Sequence, residues 1–67
     1  MGPVVEFDGC EALRETDLAI LVRFEDGREE WIPKSQIADD SEVFDADENR
    51  AGTLVVTEWI AEQKGLA

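Results

Sequence analysis

The 67-residue sequence has no histidine, one cysteine, and six basic residues against 17 acidic ones. Each shortage excludes something. Without histidine there can be no Ser-His-Asp triad, no Cys-His pair and no zinc site of His and Cys ligands. A single cysteine, Cys10, cannot form an intrachain disulfide, so the core must come from packing alone. Gly9, Gly27, Gly52 and Gly65 stand singly, which rules out a Gly-rich phosphate loop. No run approaches the ~18 apolar residues that a membrane span needs. The opening Met1-Gly2-Pro3-Val4-Val5-Glu6 has no basic region and no long apolar stretch, so no targeting signal is read there. Glu6 stands where a myristoylation signal wants Ser or Thr. A lone cysteine fits a reducing compartment, and the cytoplasm is the expected location.

The scarcity of bases leaves a formal net charge of -11. Such a polyanion is repelled by nucleic-acid phosphates and by anionic membrane surfaces. Direct binding to either is not expected. Basic proteins, basic grooves and divalent cations are the electrostatic partners left. Carboxylates are plentiful, but raising a catalytic pKa needs a sheltered cavity, and a chain this short has little room for one. The expectation is a non-enzymatic protein without a cofactor.

What is present is enough for one small domain. The apolar fraction is 43%, which supports a compact fold. A domain of this size buries roughly 60% of the surface its unfolded chain exposes, so its stability is modest. Leu18 to Phe24 is β-branched and apolar on both faces and reads as a central strand. Asp26-Gly27 follows as a two-residue hairpin turn, returning along Arg28 to Ile32. That alignment sets Glu25 opposite Arg28, Arg23 opposite Glu30, Val22 opposite Trp31 and Leu21 opposite Ile32. Upstream, residues 4–13 read as one strand bent at Asp8-Gly9, with Glu15-Thr16-Asp17 as the connecting loop.

Pro33 ends the third strand, and Pro33 to Ile37 suits a single helical turn that drops Ile37 onto the core. Asp39 to Glu48 is an acidic stretch without a base, carrying Asp39, Asp40, Glu42, Asp45, Asp47 and Glu48, with Val43 and Phe44 as its anchors. Asn49 to Gly52 reads as a turn and Thr53 to Val56 as a fourth strand. A short helix follows, with Thr57 as N-cap, Glu58 in its first turn, Gly65 just past its end and Leu66 closing it. A helix so short cannot stand alone, and Trp59 and Ile60 are expected to pin it to the sheet. The fold class is β-rich (α+β): a small bent antiparallel sheet, SH3-like or a partial barrel of about four strands, with a short C-terminal helix.

Three motifs invite sharper readings. Asp45-Ala46-Asp47-Glu48-Asn49 matches the first ligand positions of an EF-hand loop, but Arg50 stands where Gly is required and Val56 where the bidentate Glu belongs. Trp31 and Trp59 could stack bases, yet base-stacking sheets carry basic residues, so both are assigned to the core. Cys10 reads as a small buried hydrophobe.

The blocks Ala19-Ile20-Leu21-Val22, Trp31 to Ile37 and Val56 to Leu66 resemble a family of small proteins from bacteria and their phages. The resemblance runs from about residue 9 onward. It implies a genomic setting and assigns no functional residue. Small acidic phage proteins often disable nucleic-acid enzymes by occupying basic grooves. The expected function is therefore protein binding through Asp39, Asp40, Glu42, Asp45, Asp47 and Glu48, as an anti-CRISPR or similar DNA-mimicking inhibitor. The alternative is a small adaptor that binds a peptide along a sheet edge or at the Pro33–Ile37 turn.

Overall fold

The computed structural model describes residues 2–66. Four antiparallel strands form one sheet: β1 (Val4–Glu15), β2 (Ala19–Arg23), β3 (Glu29–Pro33) and β4 (Ala51–Thr57), in the order β3-β2-β1-β4. A 3-10 turn, Lys34–Gln36, follows β3, and a helix, α1 (Glu58–Gln63), follows β4.

β1 is long enough to serve two neighbours because it bends twice. Its first half pairs with β4 (Val4 opposite Thr57, Phe7 opposite Leu54) and its second half pairs mainly with β2. The register slips between Phe7 and Cys10, and again between Ala12 and Arg14. Gly9 permits the first slip. It has φ +69°, and a Cβ there would meet the Glu25 carboxylate at 2.6 Å.

The bend brings the other edge of β4 against the segment that follows the 3-10 turn. Ile37 bridges Val56, and the N–H groups of Ala38 and Glu42 donate to the carbonyls of Val55 and Thr53 at 2.9 Å. The sheet is thereby closed on that side into a partial barrel. Its interior holds Cys10, Ala12, Ile20, Val22, Phe24, Ile32, Val43, Leu54, Val56, Ile60 and Ala61. Phe7 and Phe24 meet edge to face, with ring centroids 5.3 Å apart.

The β2–β3 hairpin departs from the expected alignment by one residue. Arg23 lies opposite Glu29, Val22 opposite Glu30, Leu21 opposite Trp31 and Ile20 opposite Ile32. The turn has three residues, not two. Phe24 N–H donates to Arg28 C=O at 2.7 Å, Gly27 N–H donates to Phe24 C=O at 2.9 Å, and Gly27 takes φ +90°. This is a type I turn closed by a glycine in the left-handed region. The Arg23–Glu30 and Glu25–Arg28 pairs are replaced. Arg23 pairs with Glu11, and Arg28 pairs with Glu30 on its own strand's side at 3.0 Å.

Both tryptophans, expected in the core, lie at the surface. Ile20, Val22 and Ile32 point inward, so strict alternation turns Trp31 outward, where it is 40% exposed. Trp59 is 57% exposed, while Ile60 and Ala61 bury the single stripe that a helix this short can bury. Neither tryptophan is core. Phe44 is likewise 44% exposed, and Val43 alone anchors the acidic stretch as a fully buried side chain.

The helix ends behave as the sequence predicts. Thr57 Oγ1 accepts the N–H of Ile60, and it donates to Gln36 Oε1 at 2.7 Å. Leu66 N–H donates to Ala61 C=O and Gly65 N–H to Glu62 C=O, a Schellman closure with Leu66 packed against the core. Arg28 adds a contact that the sequence does not announce. Its guanidinium donates to the carbonyls of Lys64 (2.6 Å) and Gly65 (3.1 Å), tying the helix end to the hairpin.

Candidate functional site: the acidic stretch and its neighbours

Residues 39–48 wrap from the 3-10 turn to β4 without regular secondary structure. Their backbone is nonetheless held at several points. Ser41 is buried, and its hydroxyl donates to Val43 C=O at 2.8 Å while accepting the N–H of Val55 at 3.0 Å. A side chain thus supplies the partner that β4 would otherwise find in a neighbouring strand.

Two of the six candidate carboxylates are consumed in the same way. Glu42 Oε1 accepts the N–H of Thr53 at 2.8 Å while lying over Gly52, where a Cβ would meet it at 2.6 Å. Asp45 Oδ1 accepts the N–H groups of Asp47 and Asn49, both at 2.9 Å, and Oδ2 accepts from Asn49 Nδ2 at 3.1 Å. The Asn49 side chain first, then the two backbone N–H groups, holds the Asp45 carboxyl below its ordinary value of 3.8. This is an Asx-type turn. It spends the lead ligand of the EF-hand-like pentad on the chain's own amides. Among the described residues, no three His, Cys, Asp or Glu side chains converge to hold a metal.

The other four carboxylates behave differently. Asp39, Asp40, Asp47 and Glu48 are exposed, and among the described residues their side chains make no hydrogen bond or ion pair within the chain. The structure thus brings the six acids onto one wrapped segment and separates them by role. A hollow of about 490 Å³ lies between this segment and the 3-10 turn, with Phe44, Ile37 and Asp39 in its wall. At its margin Lys34 pairs with Glu15, whose second oxygen accepts the N–H of Ala46 at 3.2 Å. Lys34 and then the Ala46 amide hold the Glu15 carboxyl below its ordinary value of 4.5.

Sequence reading missed a second acidic group. Glu6, Asp8, Glu25 and Asp26 surround a hollow of about 520 Å³ floored by Phe7, Phe24 and Leu66. The two turn glycines, Gly9 and Gly27, were the available signal, since each sits beside an Asp and the bend of β1 lays Glu25 over Gly9. Cys10, at 2% exposure, lies beneath this group. Burial pushes its thiol up to about 11, with Asp8, Glu25 and Asp26 adding to the rise, and its S–H donates to Phe7 C=O at 3.3 Å. It is a buried apolar side chain, not a nucleophile.

Among the described residues, no helix is long and apolar enough to cross a membrane. Comparison with protein families, with curated proteins and with solved structures finds no match for this chain.

Proposed function

We propose that this protein is a non-catalytic binding protein whose acidic stretch docks on a basic surface of a nucleic-acid-handling protein. One observation carries the reading. Asp39, Asp40, Asp47 and Glu48 stand exposed, with no internal hydrogen bond or ion pair among the described residues, on a segment whose backbone is fixed by Ser41, Val43, Glu42 and Asp45. Like charges held close together oppose folding. Fixed in place, they present exposed anions without the ordering cost of a loose loop. That is what a basic groove built for phosphates accepts. The resemblance to small phage proteins gives the specific form of the proposal, an anti-CRISPR-type inhibitor acting as a DNA mimic.

The test is capture of basic proteins from a bacterial lysate on the immobilised protein, with elution by a salt gradient. Steep salt dependence and displacement by duplex DNA support the reading. A variant carrying Asp39→Asn, Asp40→Asn, Asp47→Asn and Glu48→Gln should lose the captured partner while keeping its melting temperature. Undiminished capture by that variant overturns the reading.

A further inference from the structure

The sheet is closed beside β4 and open beside β3. Phe24 N–H to Arg28 C=O (2.7 Å) and Lys34 N–H to Leu18 C=O (2.8 Å) bracket the β2–β3 ladder. Antiparallel bonding alternates, so Val22–Glu30 and Ile20–Ile32 are the bonded pairs between them. Glu29 and Trp31 therefore aim their N–H and C=O groups away from β2, at the edge of the sheet. Among the described residues none of these groups finds a partner. Pro33 contributes a carbonyl there and no N–H.

Exposed edges are usually blunted by short length, charges, Pro, bulges or covering loops. This edge is five residues long and carries Glu29, Glu30 and Pro33, yet it also presents Trp31, exposed beside the half-buried Leu21 that lies opposite it. Tryptophan is enriched where partners bury it. Glu29 shares the face of Trp31, and Glu30 lies on the other face of the same strand.

From these observations we infer that the β3 edge adds an extended segment of a basic partner as a further strand. Its backbone pairs with Glu29 and Trp31, an Arg, Lys or apolar side chain lies over Trp31, and a basic side chain lies beside Glu29. Charge selects this occupant. A second copy would bring a further -11 to the edge. The inference rests on the reading of a basic protein partner and gives that partner a second, directional contact.

The probe is a short capped peptide alternating Lys and Val, followed by amide hydrogen exchange in the full chain. Its control is the same peptide N-methylated on every residue, which keeps the charge and removes the backbone donors from both edges. The first peptide should slow exchange at the Glu29 and Trp31 amides. The control should bind about tenfold more weakly or worse, as expected from losing two net hydrogen bonds. Trp31→Ala should keep the fold and lose about tenfold in affinity. Should that variant unfold, the methylated control decides alone. Equal binding by both peptides, or protection confined to residues 39–48, overturns the inference. So does protection of the same amides that grows with protein concentration without peptide, since a second copy is then the occupant. Failure here leaves salt-dependent capture through the acidic stretch intact, whereas failure of that reading appears as capture by the neutralised variant.

Discussion

Along residues 38–49, two sets of side chains alternate. Ala38, Ser41, Val43 and the carboxylates of Glu42 and Asp45 turn toward the chain and fix it. Asp39, Asp40, Phe44, Asp47 and Glu48 turn toward solvent. The inward set does what a strand would have done for β4, giving partners to the N–H groups of Thr53 and Val55 and filling the core with one valine. The four outward carboxylates make no bond within the described residues and supply local repulsion. Identical residue types thus have opposite effects on stability within a few positions. The difference lies in whether a backbone amide is within reach, not in the charge.

Removing members of each set tests that contrast. Val43→Ala should cost the most, because the side chain is fully buried: roughly 2–3 kcal/mol, or a fall of roughly 10–20 °C in melting temperature for so small a domain. An unchanged melting curve would mean that the segment is anchored elsewhere. Ser41→Ala strands the buried N–H of Val55 and should cost about 1–3 kcal/mol. Hydrogen exchange at that amide should accelerate in the variant, and an unaltered rate would count against the bond.

Asp45→Ala should lower the melting temperature less, and the loss should depend on pH. The folded carboxyl titrates below its ordinary value of 3.8, so its contribution is complete above that pH and fades as the pH falls through the folded value. Parent and variant curves should therefore differ at neutral pH and converge in acid. A constant gap would show that charge at Asp45 is irrelevant.

Smallest of all should be the joint change Asp39→Asn, Asp40→Asn, Asp47→Asn, Glu48→Gln. It should leave stability unchanged or slightly raised, most visibly at low salt. A lower melting temperature would place these four among the inward set.

The sequence made much of the fold legible, for local reasons. Gly9 in a strand, Asp26-Gly27, Thr57 and Gly65-Leu66 each act over a few residues, and the structure uses each one as a bend, turn or cap. The hairpin register is ambiguous in the sequence because Glu29 and Glu30 are adjacent, so Arg23 finds a Glu opposite it in either alignment. The extra turn residue decided it. Trp31 and Trp59 were misplaced for a related reason: size suggests burial, but alternation beside Ile32 and the narrow buried stripe of α1 fix direction. The division among the carboxylates was only half visible. Asp45-Ala46-Asp47 is a local turn pattern. The role of Glu42 depends on Gly52 and Thr53, which approach it only once β4 is in place.

The buried thiol of Cys10 has an experimental consequence. A thiol-reactive dye cannot reach Sγ while β1 is seated between β2 and β4, and a proton held up to about pH 11 keeps the sulfur unreactive. Labelling therefore records how often the sheet opens at its most bent strand. The protein carries a clock for its own breathing, with no residue added. Labelling at several denaturant concentrations would separate excursions confined to β1 from complete unfolding. The same clock, run with and without a bound partner, would report how tightly that partner holds the sheet shut.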